Sequence, residues 1–420
     1  MISTERDPHN SSVPRTIPRK AHRISRKDID SDALKVLYRL NRHGHIAYLV
    51  GGGVRDLLLK RSPKDFDIST SAHPNEIKRI FSNCRLIGKR FRLAHIYFRG
   101  GKIIEVSTFR TISEFALDEG PISSDNTFGN PAEDAFRRDF TVNALFYNIG
   151  NFSVIDYVGG LEDLKNRVIR CIGDPLVRFR EDPIRMLRGV RFASLLGFTI
   201  DARSQKAIYA LRQDIWKGAK PRILDEVLRM FSRGTGVTAF TMMEELGLLE
   251  SIFPEIDRHI RREGREDYIG TISCLDREQS KGRDFPPAIL LAVLFYPYFH
   301  SVAERTAGSD TVKLTREILS PIFERLQVPR RIQDTIRQAL AAQGRFFALG
   351  QKRYRPRTML GKSYFDDALM LFELIAGGTE EGRKLIGDWR SLRRGGGSGQ
   401  PRRRKRRRNR AHEGQRPGQR

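Results

Sequence analysis

The sequence predicts an α+β N-terminal head, a small mixed sheet with flanking helices, followed by an all-α neck and body and a disordered basic tail. Three observations predict it. Short apolar runs of strand type alternate with helical patterns as far as about residue 110. Beyond "VIDYVGGLEDL", residues 154 to 164, strand signals nearly vanish and helical periodicity dominates to about residue 392. From residue 393 a glycine-rich linker runs into a cluster of arginines.

The elements follow in order. Residues 1 to 30 are polar, Pro-containing and basic without periodicity, and read as a flexible extension. The head is expected over 31 to 165. A helix begins near Ser31, where "SDALKVLYRLNRHG" puts Leu34, Leu37 and Leu40 on one face and Gly44 at the stop. "IAYLV" is a short buried strand, followed by Gly51-Gly52-Gly53 and the helix-like "VRDLLLK". The strand "DFDIS" comes next, then a helix from Pro74 through Phe81. "AHIYFRGGKIIEVSTFR" reads as two strands joined by a turn at Arg99-Gly100-Gly101. Residues 111 to 134 are polar and acidic, as a mobile loop is. A helical neck is expected over 166 to 265 and a helical body over 266 to 392. "PPAILLAVLFYPYF", residues 286 to 299, is short and Pro-bounded, so it predicts a buried helix and no integral membrane segment.

Charge narrows the class of partner. The chain carries a formal +26, of which residues 393 to 420 supply about +11 from twelve Lys/Arg and one Glu. Body and tail alike therefore suit a polyanion, either nucleic acid or an acidic membrane surface. The three cysteines are scattered, which supports neither a disulfide framework nor zinc and fits a reducing cytoplasm. The first residues lack a signal-peptide core.

The chemistry gathers around "RSPKDFDIST", residues 61 to 70. Strand alternation sends Asp65 and Asp67 to one side and Phe66 and Ile68 to the other. Two like charges so close repel, and a divalent cation between them turns that cost into binding energy. Alone, such a pair is common and mostly incidental; its surroundings raise its weight. "GGGVRD", residues 51 to 56, lies between strand and helix, where bare backbone approaches an anion closely and Arg55 serves phosphate or a salt bridge with Asp56. It is no Walker A loop, since no Lys-Ser/Thr pair follows. Glu105, in "KIIEVSTFR", sits on a strand that is able to lie beside the aspartates; the plain alternative is a surface glutamate on an edge strand. Three carboxylates and a glycine cradle together suggest two Mg²⁺ ions holding a triphosphate.

These residues carry a resemblance. "LVGGGVRDLLL", "KDFDIST", "IIEVSTFR", "RRDFTVNALFY" (137 to 147), "DYVGGLEDL" (156 to 164) and "REDPIRMLRGVRFASLLGF" (180 to 198) stand in the order and spacing of the class II nucleotidyltransferases of the DNA polymerase beta superfamily. That family includes bacterial poly(A) polymerases and CCA-adding tRNA nucleotidyltransferases. The likeness is dense from about 46 to 200 and looser beyond. It implies that Asp65 and Asp67 hold both Mg²⁺ ions, with Glu105 a third catalytic and metal-binding carboxylate near the attacking RNA 3′ hydroxyl. It implies that Gly51, Gly52 and Arg55 hold the triphosphate of ATP, and that Arg138, Asp139 and Asn143 position the nucleotide. Glu181, Asp182 and Arg185 match the base-reading element, with Arg188 among the nucleotide-binding residues; Asp182 and Arg185, three apart, are expected on one face of a helix. "DYVGGLEDL" resembles the bend between head and neck, at Gly159-Gly160.

Two features favour polyadenylation over CCA addition. "LIGKRFRLAHI", residues 86 to 96, resembles a stretch typical of bacterial poly(A) polymerases, with Lys89, Arg90 and Arg92 between apolar positions. The arginine-rich tail suits varied RNAs, because phosphate contacts give affinity without sequence information. The expectation is a template-independent polynucleotide adenylyltransferase of the bacterial cytoplasm. It adds AMP from ATP to RNA 3′ ends in polyadenylation and turnover, with RNA-decay proteins as partners and peripheral membrane association allowed. The alternatives are a CCA-adding enzyme and, from another class, a non-catalytic RNA-binding protein.

Overall fold

The computed structural model describes residues 14–88, 93–111, 128–306 and 310–395. Lys89, Arg90, Arg92, most of the acidic stretch and the tail from 396 onward lie outside the described residues.

The head is built on one sheet of eight strands: β1 (Arg15–Ile17), β2 (Ala47–Val50), β3 (Asp67–Thr70), β4 (Cys84–Ile87), β5 (Leu93–Tyr97), β6 (Ile103–Thr108), β7 (Leu145–Asn148) and β8 (Ser153–Asp156). Their order is β1-β8-β7-β2-β3-β6-β5-β4. Every neighbour pair is antiparallel except β3 with β6, which run parallel with Ile68 opposite Val106. The head's helices are α1 (Ser31–Arg42), α2 (Gly52–Leu58), α3 (Pro74–Ile80), α4 (Pro131–Phe136) and α5 (Gly160–Asn166). Helix α1 starts where Asp30 Oδ1 accepts the N–H groups of Asp32 and Ala33, and it buries Ala33, Val36, Leu37 and Leu40.

The sheet is larger than the sequence suggests, and its first strand corrects the expected extension. Residues 14 to 30 are part of the head: β1 pairs with β8, and Ile24 and Ile29 are 1% and 4% exposed in the core. Isolated apolar anchors in a polar segment leave no periodicity to read. They become legible only against the sheet edge that they cover.

Alternation gives the sheet two different faces. Ile68, Ala94, Ile96, Ile104 and Val106 belong to the main core shared with α1 and α3. The residues between them, Asp67, Ser69, Glu105 and Ser107, therefore point the other way. Over β2, β7 and β8 that second face is packed by Val50, Phe146 and Ile155 together with Phe109 and Ala135.

The head meets the neck through α5. Asp156 accepts four backbone N–H groups, from Val158, Gly159 and Gly160 at Oδ1 and from Leu161 at Oδ2, all within 3.0 Å. Gly159 takes the left-handed φ of 83°, and a Cβ on Gly160 would fall 2.2 Å from the Thr141 carbonyl oxygen. The glycines thus make a pinned corner rather than a loose bend.

The neck contains α6 (Pro175–Glu181), α7 (Ile184–Leu196), α8 (Ala202–Leu211) and α9 (Lys220–Met230), and beyond α9 all elements are helical. It is not wholly α as expected, since Val168–Ile169 and Thr199–Ile200 pair as a short parallel sheet, too brief to leave a signal in the sequence. Pro287–Arg305 is the one helix among the described residues long and apolar enough to cross a membrane. Of its most apolar window 61% is buried inside the protein, against the helices Arg330–Ala341 and Phe365–Ala376.

Candidate active site

A cleft of about 960 Å³ opens between the head and α7 and α9. Asp65, Asp67, Gly51, Gly52, Arg55, Arg138, Asp139, Asn143, Asp182, Arg185 and Arg188 all line it; Glu105 and Glu181 do not. Ten Arg or Lys side chains line it against five Asp, so its field favours an anion.

Asp67 opens β3, whereas Asp65 precedes the strand. The expectation of a strand carrying both fails for a local reason: β2 ends at Val50, opposite Asp67, and the chain turns away at Gly51, so nothing pairs with Asp65. Phe66 and Ile68 still pack into the core as alternation requires. No side chain among the described residues donates to either carboxylate. The parallel register, continued one residue back from Ile68 and Val106, sets Glu105 beside Asp67. Asp67 is exposed on the cleft edge, with neighbouring protein on the inner side of its carboxylate. Burial, then the charge of Glu105 and more weakly that of Asp65, push its pKa up to about 6 against the pull of Arg138.

Glu105 stands at the rim, its side chain 49% exposed, with His95 Nε2 3.5 Å from Oε1. Among the described residues no three His, Cys, Asp or Glu side chains are gathered closely enough to enclose a metal. The aspartates instead present hard, unpaired oxygens on an open edge. That fits Mg²⁺, which is commonly bound by one or two carboxylates plus substrate phosphates.

Gly51 caps α2 with φ 71°, and a Cβ there would meet Arg138 Nη1 at 3.3 Å and Asp67 Oδ2 at 4.0 Å. Bare backbone thus forms the cleft floor between the acidic edge and Arg138. Arg55 is buried and already engaged: it holds Asp56 at 2.8 Å and donates from Nη1 to Asn143 Oδ1 at 2.6 Å. The salt bridge with Asp56 is formed, the bond to Asn143 is one that the sequence did not indicate, and Arg55 still lines the cleft. Arg138 donates to Ser69 Oγ (3.2 Å), Asp134 Oδ2 (2.9 Å) and the Asn143 carbonyl (3.3 Å). Burial alone would raise the pKa of Asp134, but Arg138 and Arg137 hold it below the usual range.

Asp139 joins head to neck. Its Oδ2 accepts from Arg188 Nε at 2.7 Å, its Oδ1 accepts from Phe140 N, and Arg188 outweighs burial to keep its pKa low. Arg188 lies 3.7 Å from Glu226 of α9, which binds Arg191 at 2.6 Å. Phe192 collects the guanidiniums of Arg55, Arg188 and Arg191 at 5.4, 5.3 and 4.2 Å from its ring centre.

"EDPIR" is not one helical face. Pro183 forces Asp182 into extended backbone, φ −142° and ψ 92°, so α6 ends at Glu181 and α7 starts at Ile184. Asp182 is held by Arg222 through two bonds of 3.1 and 2.9 Å, while Arg185 donates to Glu181 and to the Arg178 carbonyl. Both still reach the same cleft.

Sequence reasoning missed Asp134, Phe192, Arg222 and Glu226. For Asp134 a signal existed: Asn130 and Glu133 form a capping box with Pro131 at the first helical position, which marks α4 inside the expected loop. Arg222 and Glu226 lie 40 and 35 residues from their partners and carry no local signal.

Known proteins resemble the chain over most of its length. Residues 47–170 match the family described as Poly A polymerase head domain, and residues 197–260 match that described as Probable RNA and SrmB- binding site of polymerase A. Poly(A) polymerase I of Salmonella typhi is 41% identical over 341 residues, 76% of this chain and 73% of that protein. A CCA-adding enzyme of Lactobacillus helveticus is 39% identical over 226 residues, 54% of this chain and 56% of that protein. Among solved structures, the Bacillus stearothermophilus CCA-adding enzyme in complex with CTP has a TM-score of 0.66 at 26% identity, covering 86% of this chain and 80% of that one.

Proposed function

The chain belongs to the poly(A) polymerase family of nucleotidyltransferases, and on that premise we propose that it adds AMP from ATP to RNA 3′ ends without a template, releasing pyrophosphate. The observation that carries the chemistry is the open carboxylate edge of Asp65 and Asp67, with Glu105 beside it, in a cleft otherwise lined by cations. The likeness to poly(A) polymerases extends through 341 residues, whereas that to the CCA-adding enzyme spans 226, which favours polyadenylation.

In this reading Asp65 and Asp67 would hold Mg²⁺, and Glu105, at the rim beside Asp67 and outside the group that would hold the metal, would stand near the attacking hydroxyl. The metal, when bound, would neutralise triphosphate charge and make the 3′ hydroxyl more acidic. The backbone at Gly51 and Gly52 receives the triphosphate, and Arg138 offers it a cation held by Asp134. Arg55 acts one step back by fixing Asn143. Asp139 holds Arg188 at the nucleotide, while Asp182 and Arg185 face the base from the α6–α7 break. The RNA 3′ oxygen attacks the α-phosphorus, and its bond forms as the bond to pyrophosphate breaks. The RNA body meets the neck, within residues 197–260. We place the protein in the cytoplasm, with RNA-decay proteins as its partners.

CCA addition is the second reading, favoured by the fold shared with the CTP-bound structure. Incubation with Mg²⁺, a non-tRNA oligoribonucleotide and each NTP separately distinguishes them. Long tails from ATP alone are expected; one to three residues on tRNA only, from CTP and ATP, would establish the second reading instead.

A further inference from the structure

The second face of the sheet is packed by a core cluster over β2, β7 and β8 but joins none over β4, β5 and β6 among the described residues, where Ile87 and Ile103 are exposed and Leu93, His95 and Tyr97 half-buried. Ile87, Leu93, Tyr97 and Ile103 belong to neither core cluster, and Ile87 and Ile103 are 44% and 40% exposed. Register aligns this face with the reaction centre. Arg85 pairs with His95, His95 with Glu105, and Glu105 sits beside Asp67, so one row crosses four strands and ends on the catalytic edge. In the next row Tyr97 lies opposite Ile103, with the Arg85 guanidinium 5.3 Å from the Tyr97 ring centre.

We propose that this open face of β4–β5–β6 is the platform on which the terminal nucleotides of the RNA lie, a base stacking on Tyr97 and Arg85 meeting a phosphate. The inference rests on the adenylyltransferase reading, because that reading requires a 3′ hydroxyl at Asp67 and Glu105. The strand behind that hydroxyl must leave the cleft across some neighbouring surface. Three strand spacings, about 14 Å, separate Asp67 from Arg85, the span of about four stacked nucleotides. An aromatic ring, apolar flanks and a cation suit single-stranded RNA of any sequence, since every base has a face to stack and every linkage a charge. A partly exposed apolar sheet face is otherwise a liability that proteins cover or charge. A strand renewed with each nucleotide added explains why Ile87 and Ile103 stay accessible.

The test uses the full-length protein with an oligoribonucleotide carrying 4-thiouridine three nucleotides from its 3′ end, together with steady-state kinetics of variants. Cross-links are expected on the peptides of β4 to β6. Tyr97→Ala should raise KM for RNA about tenfold with KM for ATP unchanged, and Tyr97→Phe should stay within about twofold of wild type. Should Tyr97→Ala fold poorly, Ile103→Glu at an exposed position reads the same surface, its added charge raising KM for RNA. Unchanged KM for RNA in folded Tyr97→Ala and Ile103→Glu, with cross-links elsewhere, overturns the proposal; the face is then a docking surface for a protein partner. Cross-linking at this face by a protein that adds no nucleotide to any RNA would uphold the platform while the catalytic reading failed.

Discussion

Asp67 keeps its proton to about pH 6 because burial and Glu105 both oppose its charge. A carboxyl whose folded pKa lies above its unfolded value favours folding most at low pH and loses that advantage as pH rises through about 6. Because water screens a carboxylate exposed on the cleft edge, Asp67→Asn is expected to raise the melting temperature above pH 6 only slightly, by under about 1 °C. The same change should lower the adenylation rate by several orders of magnitude with RNA binding nearly intact. A lower melting temperature would show that the carboxylate supports the fold. Since only the ionised form accepts a metal, the Mg²⁺ concentration for half-maximal activity should rise about tenfold for each pH unit below 6 and level off above 7. A flat requirement between pH 5 and 8 would place the metal elsewhere. At this scale the sequence was most legible in bringing Asp65 and Asp67 to one cleft, although the strand alternation that suggested it reaches only Asp67. Arg55 was less so, because the choice between phosphate and Asn143 depends on a residue 88 positions away.

Among the elements, the α5 corner and the α6–α7 break set the geometry of the cleft. Gly160 packs directly on the Thr141 carbonyl, and Thr141 in turn donates to Asp163 of α5 at 2.7 Å. Gly160→Ala forces these backbones apart and is expected to destabilise the protein by about 2 kcal/mol, measured by denaturant unfolding. An unchanged midpoint would mean that the corner yields without cost. The break at Pro183 was open to anticipation, since a proline disfavours helix at the residue before it. The reading of Asp182 and Arg185 as a helical pair passed over that signal. Strands β1, β4, β7 and β8 escaped notice for a different reason: each is three or four residues long and draws its stability from neighbours distant in sequence.

For the whole molecule, cationic charge is spread over the body and gathers locally in the cleft and in the tail. Residues 396 to 420 hold ten of the twelve Lys/Arg counted from 393 onward. Their removal should weaken RNA binding and flatten its dependence on salt, the log–log slope falling by about 0.7 for every phosphate that the tail no longer neutralises. Titrations of a labelled oligoribonucleotide at several salt concentrations read this directly. An unchanged slope would assign the RNA to the cleft, the platform and the neck alone.

The sequence by itself determined the order of α+β head, helical remainder and basic tail, the two aspartates and the glycine turn. These rest on spacing within a few residues, where periodicity and backbone geometry act. Only the tertiary structure decided that Glu105 flanks Asp67, that Arg55 bonds Asn143, that Arg222 grips Asp182, and that Ile87 and Ile103 stay exposed on one sheet face. Each of those depends on which distant segments become neighbours, and strand register and helix packing fix that by minimising exposed apolar area and unpaired charge over the whole chain at once.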